Sequence, residues 1–203
     1  MTIKTLFRLL SLALAAAIIS ACASNPIAEW QDETFTGPVD NILIIGASEQ
    51  PTVRRLFEDS FVRELAAIGI NANPSYKVMS PDQAVSRESV EAALADQVMD
   101  AVLVTRLLGV EEVQTYYPPS YYAYNRSYHS YYAHAMDYSS PGYYGKYKVL
   151  TLETNLYDTA TEKLVWSMQS ESIDPSTPKD VIEEQIHLTI KTLSERGLIT
   201  ALP

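Results

Sequence analysis

Cysteine is nearly absent from this chain. Cys22 is the only one in 203 residues, so no internal disulfide can form and packing alone must hold the fold. Basic residues are scarce too, 15 against 25 acids, for a net charge of −10. A chain this acidic is a poor partner for nucleic acid and has no polybasic grip on anionic lipid. No apolar run approaches the roughly 20 residues that a membrane-spanning helix needs. Signatures of catalysis are also missing: no Gly-x-Ser-x-Gly elbow, no His-Glu-x-x-His and no free thiol nucleophile. Glu111 and Glu112 are adjacent, so on a strand they point to opposite faces and make no acid–base pair. His129 and His134, with Asp137 nearby, have no second cluster to complete a metal site. His187 stands alone, as an exposed or rim residue would. No catalytic residue, metal or cofactor is expected.

The amino terminus is more explicit. Lys4 and Arg8 are followed by Leu9 to Ile19, which is almost wholly apolar. A positive segment and then an apolar core of about 7–15 residues is the layout of an export signal. The core ends in Ile19-Ser20-Ala21-Cys22, which resembles the lipobox of bacterial lipoproteins.

That resemblance implies cleavage between Ala21 and Cys22, with recognition by signal peptidase through Ile19, Ser20 and Ala21. It implies a diacylglycerol on the Cys22 sulfur and an acylated amine, and two or more acyl chains anchor a protein stably. Ala23 stands where an aspartate would favour the inner membrane, so the analogy implies an outer-membrane protein facing the periplasm. Removing residues 1–21 takes away two positive charges and no negative one, leaving about −12.

Asn25-Pro26 and Gly37-Pro38 mark residues 22–39 as a tether between lipid and fold, with Trp30 and Phe35 suited to docking on the domain. Residues 40–203 suit one domain. Asn41 to Ala47 reads as a strand buried on both faces. Pro51 to Ile68 follows as an amphipathic helix, with Val53, Leu56, Phe57, Ser60, Phe61, Leu65 and Ile68 inward. Arg54–Glu58 and Arg55–Asp59 are placed on its outer side, and Gly69 stops it. A second short strand is expected at Ser75 to Met79. A helix then starts at Ser80-Pro81-Asp82-Gln83 and runs to about Met99. Asp100 to Leu108 is a third strand, extending to Thr115 past a bulge or bend at Gly109. Its lone charge, Arg106, needs an acid partner or a route to solvent. Tyr147 to Tyr157 and Lys163 to Gln169 form a hairpin, and Thr177-Pro178 opens a last helix to Arg196.

The order β-α-β-α-β, then a hairpin, then a carboxy-terminal helix predicts a three-layer α/β domain on a mixed sheet, its first three strands parallel. The first strand-turn-helix has the outline of a nucleotide site. However, Gly46 has no companion glycine, and Glu49 in the loop repels phosphate.

Tyrosine is the exception to all this scarcity. Residues 116–147 hold 12 of the 14 tyrosines, including Tyr116-Tyr117, Tyr121-Tyr122, Tyr131-Tyr132 and Tyr143-Tyr144. Leu, Ile, Val and Phe are absent there, so this segment has no core of its own. Two readings stand. Rigid amphipathic rings make a recognition surface for an envelope protein or a glycan such as peptidoglycan. In the other, a low-complexity aromatic insertion is disordered or folds back over the sheet.

Asn41-Ile-Leu-Ile-Ile-Gly46 with Arg54-Arg55-Leu56-Phe57-Glu58-Asp59, the aromatic insertion, and Leu156-Tyr157-Asp158 before Leu164-Val165-Trp166-Ser167 together resemble a family of small Gram-negative outer-membrane lipoproteins built on a domain of unknown function. The general shape is similar to the amino-terminal domain of the Tol translocation protein and to the curli-secretion lipoprotein. The resemblance implies a non-catalytic α/β interaction module, held to the membrane through Cys22 and meeting an envelope protein or glycan.

Overall fold

The computed structural model describes residues 26–79, 87–95, 98–117 and 143–200. Six strands form one mixed sheet: β1 (Ala28–Gln31), β2 (Asn41–Ala47), β3 (Asn71–Pro74), β4 (Ala101–Tyr117), β5 (Tyr143–Asp158) and β6 (Leu164–Ile173). Among the described residues four helices accompany them: α1 (Pro51–Ala67), α2 (Ser75–Val78), α3 (Arg87–Ala95) and α4 (Pro178–Glu195). The sheet order is β1-β6-β5-β4-β2-β3. β2 pairs in parallel with both β3 and β4, and the remaining neighbours are antiparallel. The three-layer α/β architecture on a mixed sheet is therefore the observed one.

Strand β2 is apolar throughout because both of its faces are covered. Ile42 and Ile44 join Leu103, Leu156, Trp166 and Met168 beneath α1 and α4. Leu43 and Ile45 pack with Met99 and Val102 on the opposite face, against Val90 and Leu94 of α3. Burying each large apolar side chain is worth about 1.5–3 kcal/mol, so these two layers supply most of the driving force. α4 begins with a full capping box. Thr177 accepts from the Asp180 amide, and the Asp180 carboxylate accepts from the Thr177 amide.

The inner side of α4 turns polar partway along the sheet. Gln185 donates to Thr154 at 2.8 Å and accepts from Ser170, while Ser172 donates to Glu184 at 2.7 Å. Alternation of the hairpin strands is as expected, with Thr154, Leu156, Trp166 and Met168 buried on this face.

Four expectations need correction. The second strand is Asn71–Pro74, and Ser75–Val78 is a helical turn. The chain bends there because Ser75 Oγ and the Tyr76 amide both donate to the Glu58 carboxylate. Pro74 is tolerated because β3 is an edge strand. Arg54 and Glu58, placed outside by their spacing, are buried, while Leu56 is 39% exposed. The helix expected to run to Met99 is described over Arg87–Ala95 and does not include residues 98 and 99, while its expected start at residues 80–83 lies outside the described residues.

The fourth correction concerns the stretch read as a tether, which contributes an edge strand. β1 pairs with β6, the Asp32 amide donates to the Val165 carbonyl, Phe35 packs on the core, and Val39 is buried within it. Trp30 remains half exposed.

Candidate functional site

Strands β4 and β5 outrun their neighbours. β2 ends at Ala47, and its last partner on β4 is Arg106; β6 ends at Ile173, opposite Val149. Among the described residues two strands continue beyond that level, through six cross-strand pairs from Glu112↔Lys148 to Tyr117↔Tyr143. The ladder changes register between Leu107 and Gly109, the bend expected at that glycine.

Four tyrosines occupy the last two pairs of this ribbon. The Tyr116 and Tyr144 rings lie 5.0 Å apart at a tilt of 47°, and those of Tyr117 and Tyr143 stack 5.0 Å apart. Cross-strand aromatic pairs are worth about 0.2–1 kcal/mol each. That helps a two-stranded ribbon, which alone is marginal in water. Gly145 makes the stack possible: a Cβ there would come within 2.7 Å of Tyr117 Cε2. All four rings remain 45–66% exposed despite their pairing. Behind them Lys146 donates to Glu112 at 2.6 Å, and this bond and charge hold the Glu112 carboxyl below its ordinary value.

Of the expected contact residues, the structure brings together Tyr116, Tyr117, Tyr143 and Tyr144. Tyr121, Tyr122, Tyr131 and Tyr132 lie outside the described residues, as do Ile19, Ser20, Ala21, Cys22, His129, His134 and Asp137. His187 is exposed on α4. Arg106 has its acid: it donates to Glu153 at 2.8 Å. Burial pushes the Glu153 carboxyl up, but hydrogen bonds from Arg106 and Gln169 and the Arg106 charge outweigh it, and the net shift is downward. Among the described residues no three His, Cys, Asp or Glu side chains gather as a metal site. No helix among them is long and apolar enough to cross a membrane.

Two polar clusters escaped the sequence reading. At the carboxyl end of β2, where the chain crosses from β3 on one side to β4 on the other, open α/β sheets hold their ligands. Here the position is filled from within. Glu58 Oε1 accepts from the Gly46 amide and Arg54 Nε, both at 3.0 Å, and from Ser75 Oγ at 2.6 Å. Oε2 accepts from the Tyr76 amide at 3.0 Å. Phe57 covers Gly46, so the amide that a phosphate would seek is already bound to a carboxylate.

The second cluster joins β1 to α4. Glu29 accepts from Trp166 Nε1 at 2.9 Å and from Arg196 Nε and Nη2 at 2.7 and 2.6 Å. A cleft lined by Glu29, Trp30, Gln31, Glu33 and Arg196 lies over this pair. The only sequence hint of either cluster was the four-residue spacing of Arg54 and Glu58.

No family model matches this chain, and no curated protein matches it either. Solved structures with related shapes include PelC from Paraburkholderia phytofirmans, a dodecamer, at 14% identity and a TM-score of 0.46, covering 86% of this chain and 97% of that one. Lipoprotein GNA1162 from Neisseria meningitidis is similar at 12% identity and a TM-score of 0.42, covering 76% of this chain and 98% of that one. A neuraminyllactose-binding hemagglutinin homolog from Helicobacter pylori follows at 11% identity and a TM-score of 0.30, covering 87% and 90%. Likenesses this distant assign no family.

Proposed function

We propose that this protein is a lipid-anchored, periplasm-facing module of the bacterial outer membrane that performs no chemistry and works by contact. The relation to the amino-terminal domain of the Tol translocation protein belongs to this proposal. Cys22 supplies the anchor through its acyl chains, and the ribbon tyrosines supply the contact surface for another envelope component. One observation carries the second part: two cross-strand tyrosine pairs stand exposed on a ribbon that projects past the rest of the sheet. Large rings held in place by a strand ladder lose little entropy when they meet a partner, and their hydroxyls satisfy polar neighbours. The charged groups elsewhere support a contact role, since Glu58 and Glu29 are committed to bonds within the domain.

Crosslinking in intact cells tests this, comparing the native chain with one lacking residues 116–147. The proposal expects adducts that disappear with the segment. Adducts that persist unchanged contradict it, as does turnover of an envelope substrate abolished by one carboxylate substitution.

A further inference from the structure

The direction of β1 fixes where the anchor leaves the fold. β1 runs antiparallel to β6, which runs antiparallel to β5, so β1 and β5 point the same way. β5 starts at Tyr143, which with Tyr117 forms the outermost described pair of the ribbon, its tip. The chain therefore enters the sheet from the ribbon's end, and the anchor and the tyrosines share one pole of the domain.

Lengths sharpen this. Ala28 lies level with Gln169 and, through it, with Glu153, and the Ile27 amide still donates to the Gln169 carbonyl at 2.9 Å. Six residue steps lead from Cys22 to Ala28, a reach of about 20 Å at most. Ten residue steps of β5 lead from Tyr143 to Glu153, about 33 Å of strand. With the strands upright on a membrane, the tip passes the lipidated sulfur by about 10 Å even when the intervening chain is fully extended.

The tip has the chemistry for that depth. Tyrosine is enriched where membrane meets water, its ring in the apolar layer and its hydroxyl among the headgroups. Tyr144, Lys146 and Lys148 alternate onto one face, where Lys146 is bonded to Glu112 and a lysine stem such as that of Lys148 is long enough to carry its charge to a headgroup phosphate. Glu112 offsets one of those two lysines, leaving the ribbon with a net charge of about +1. The ribbon is thus slightly positive within an otherwise acidic chain and is a part of the domain that an anionic leaflet does not repel.

We infer that the ribbon tip seats on the bilayer surface as a second membrane contact beside the Cys22 lipid, on whose presence this inference rests, and so sets how the domain faces the periplasm. The partner of the exposed tyrosines is then lipid. A lipid chain alone leaves a domain free to swivel. A second contact about 30 Å along the sheet fixes the tilt and turns β3 and the β5–β6 turn away from the membrane.

The test uses the full lipidated chain carrying Tyr144→Cys, reconstituted in phosphatidylethanolamine–phosphatidylglycerol vesicles. Acylation blocks the Cys22 thiol, so a spin label attaches only at the introduced position. Ala160→Cys, in the turn at the far end of the sheet, is the reference. Collisions with oxygen, which dissolves in lipid, are compared with those of a water-confined nickel chelate. The inference expects oxygen to dominate several-fold at position 144 and the chelate to dominate at 160. A label at 144 as open to the chelate as that at 160, on protein that still floats with vesicles, overturns the membrane contact and leaves the anchor standing. A label at 144 shielded from both reagents overturns it in favour of contact with another protein copy. Protein that fails to float overturns the anchor itself, and this inference with it.

Discussion

Glu29 in β1 grips Arg196, just past the end of α4, through two hydrogen bonds of 2.7 and 2.6 Å. A residue eight positions after Ala21, the last of the signal-like segment, is thereby tied to the carboxy-terminal end of the fold, across 167 residues. Arg196 holds the Glu29 carboxyl below its ordinary value, against the opposing effect of burial. A lowered pKa gives stabilisation that is present above the unfolded value and lost as pH falls through the folded one. β1 should therefore stay docked at neutral pH and loosen under acid, below the ordinary value of 4.5. Hydrogen-exchange protection of the Ile27 and Asp32 amides, which donate to β6, reads this directly. Glu29→Gln should lower that protection at pH 7 and remove its acid dependence.

The buried Glu58 carboxylate predicts a larger effect. It accepts from Gly46, Arg54, Ser75 and Tyr76 and is wholly buried. Glu58→Ala strands the Arg54 charge and two backbone amides, so it should cost about 3–5 kcal/mol. Replacing Arg54 and Glu58 together with methionine removes the stranded charge and should recover part of that loss. The recovery stays incomplete because the Gly46 and Tyr76 amides still lack an acceptor, at about 1–3 kcal/mol each. Denaturant midpoints at constant slope measure both variants.

Gly145→Ala is a local probe of the ribbon. The added carbon would meet the Tyr117 ring at 2.7 Å, and an exposed ring can move aside. The stack with Tyr143 should open, changing the near-ultraviolet circular dichroism of the tyrosines. The melting temperature should stay close to that of the native chain, since the core lies elsewhere.

Sequence pattern captured what depends on periodicity. Continuous apolarity in Asn41–Ala47, the four-residue steps of α1 and the alternation from Leu150 to Leu156 each reflect burial that covers whole faces, and these elements stand where expected. Pattern failed where one polar group redirects the chain. Arg54 and Glu58 look like an outer-face pair in one dimension, and only the positions of Gly46 and Ser75 reveal why they are buried. β1 was missed for a related reason: four residues of mixed polarity join a sheet edge because β6 is already there, held by Glu29. The tyrosine ribbon was half legible. Composition singled out the residues, but the extension of β4 to Tyr117 and the two ring pairs depend on cross-strand register that no local rule encodes.

Mass spectrometry of the protein extracted from bacterial membranes examines the account at its root. The account predicts a polypeptide that begins at Cys22, its mass raised by a diacylglycerol and an amide-linked acyl chain. A polypeptide recovered from the soluble fraction with residues 1–21 still attached, or with an unmodified Cys22 thiol, would contradict it.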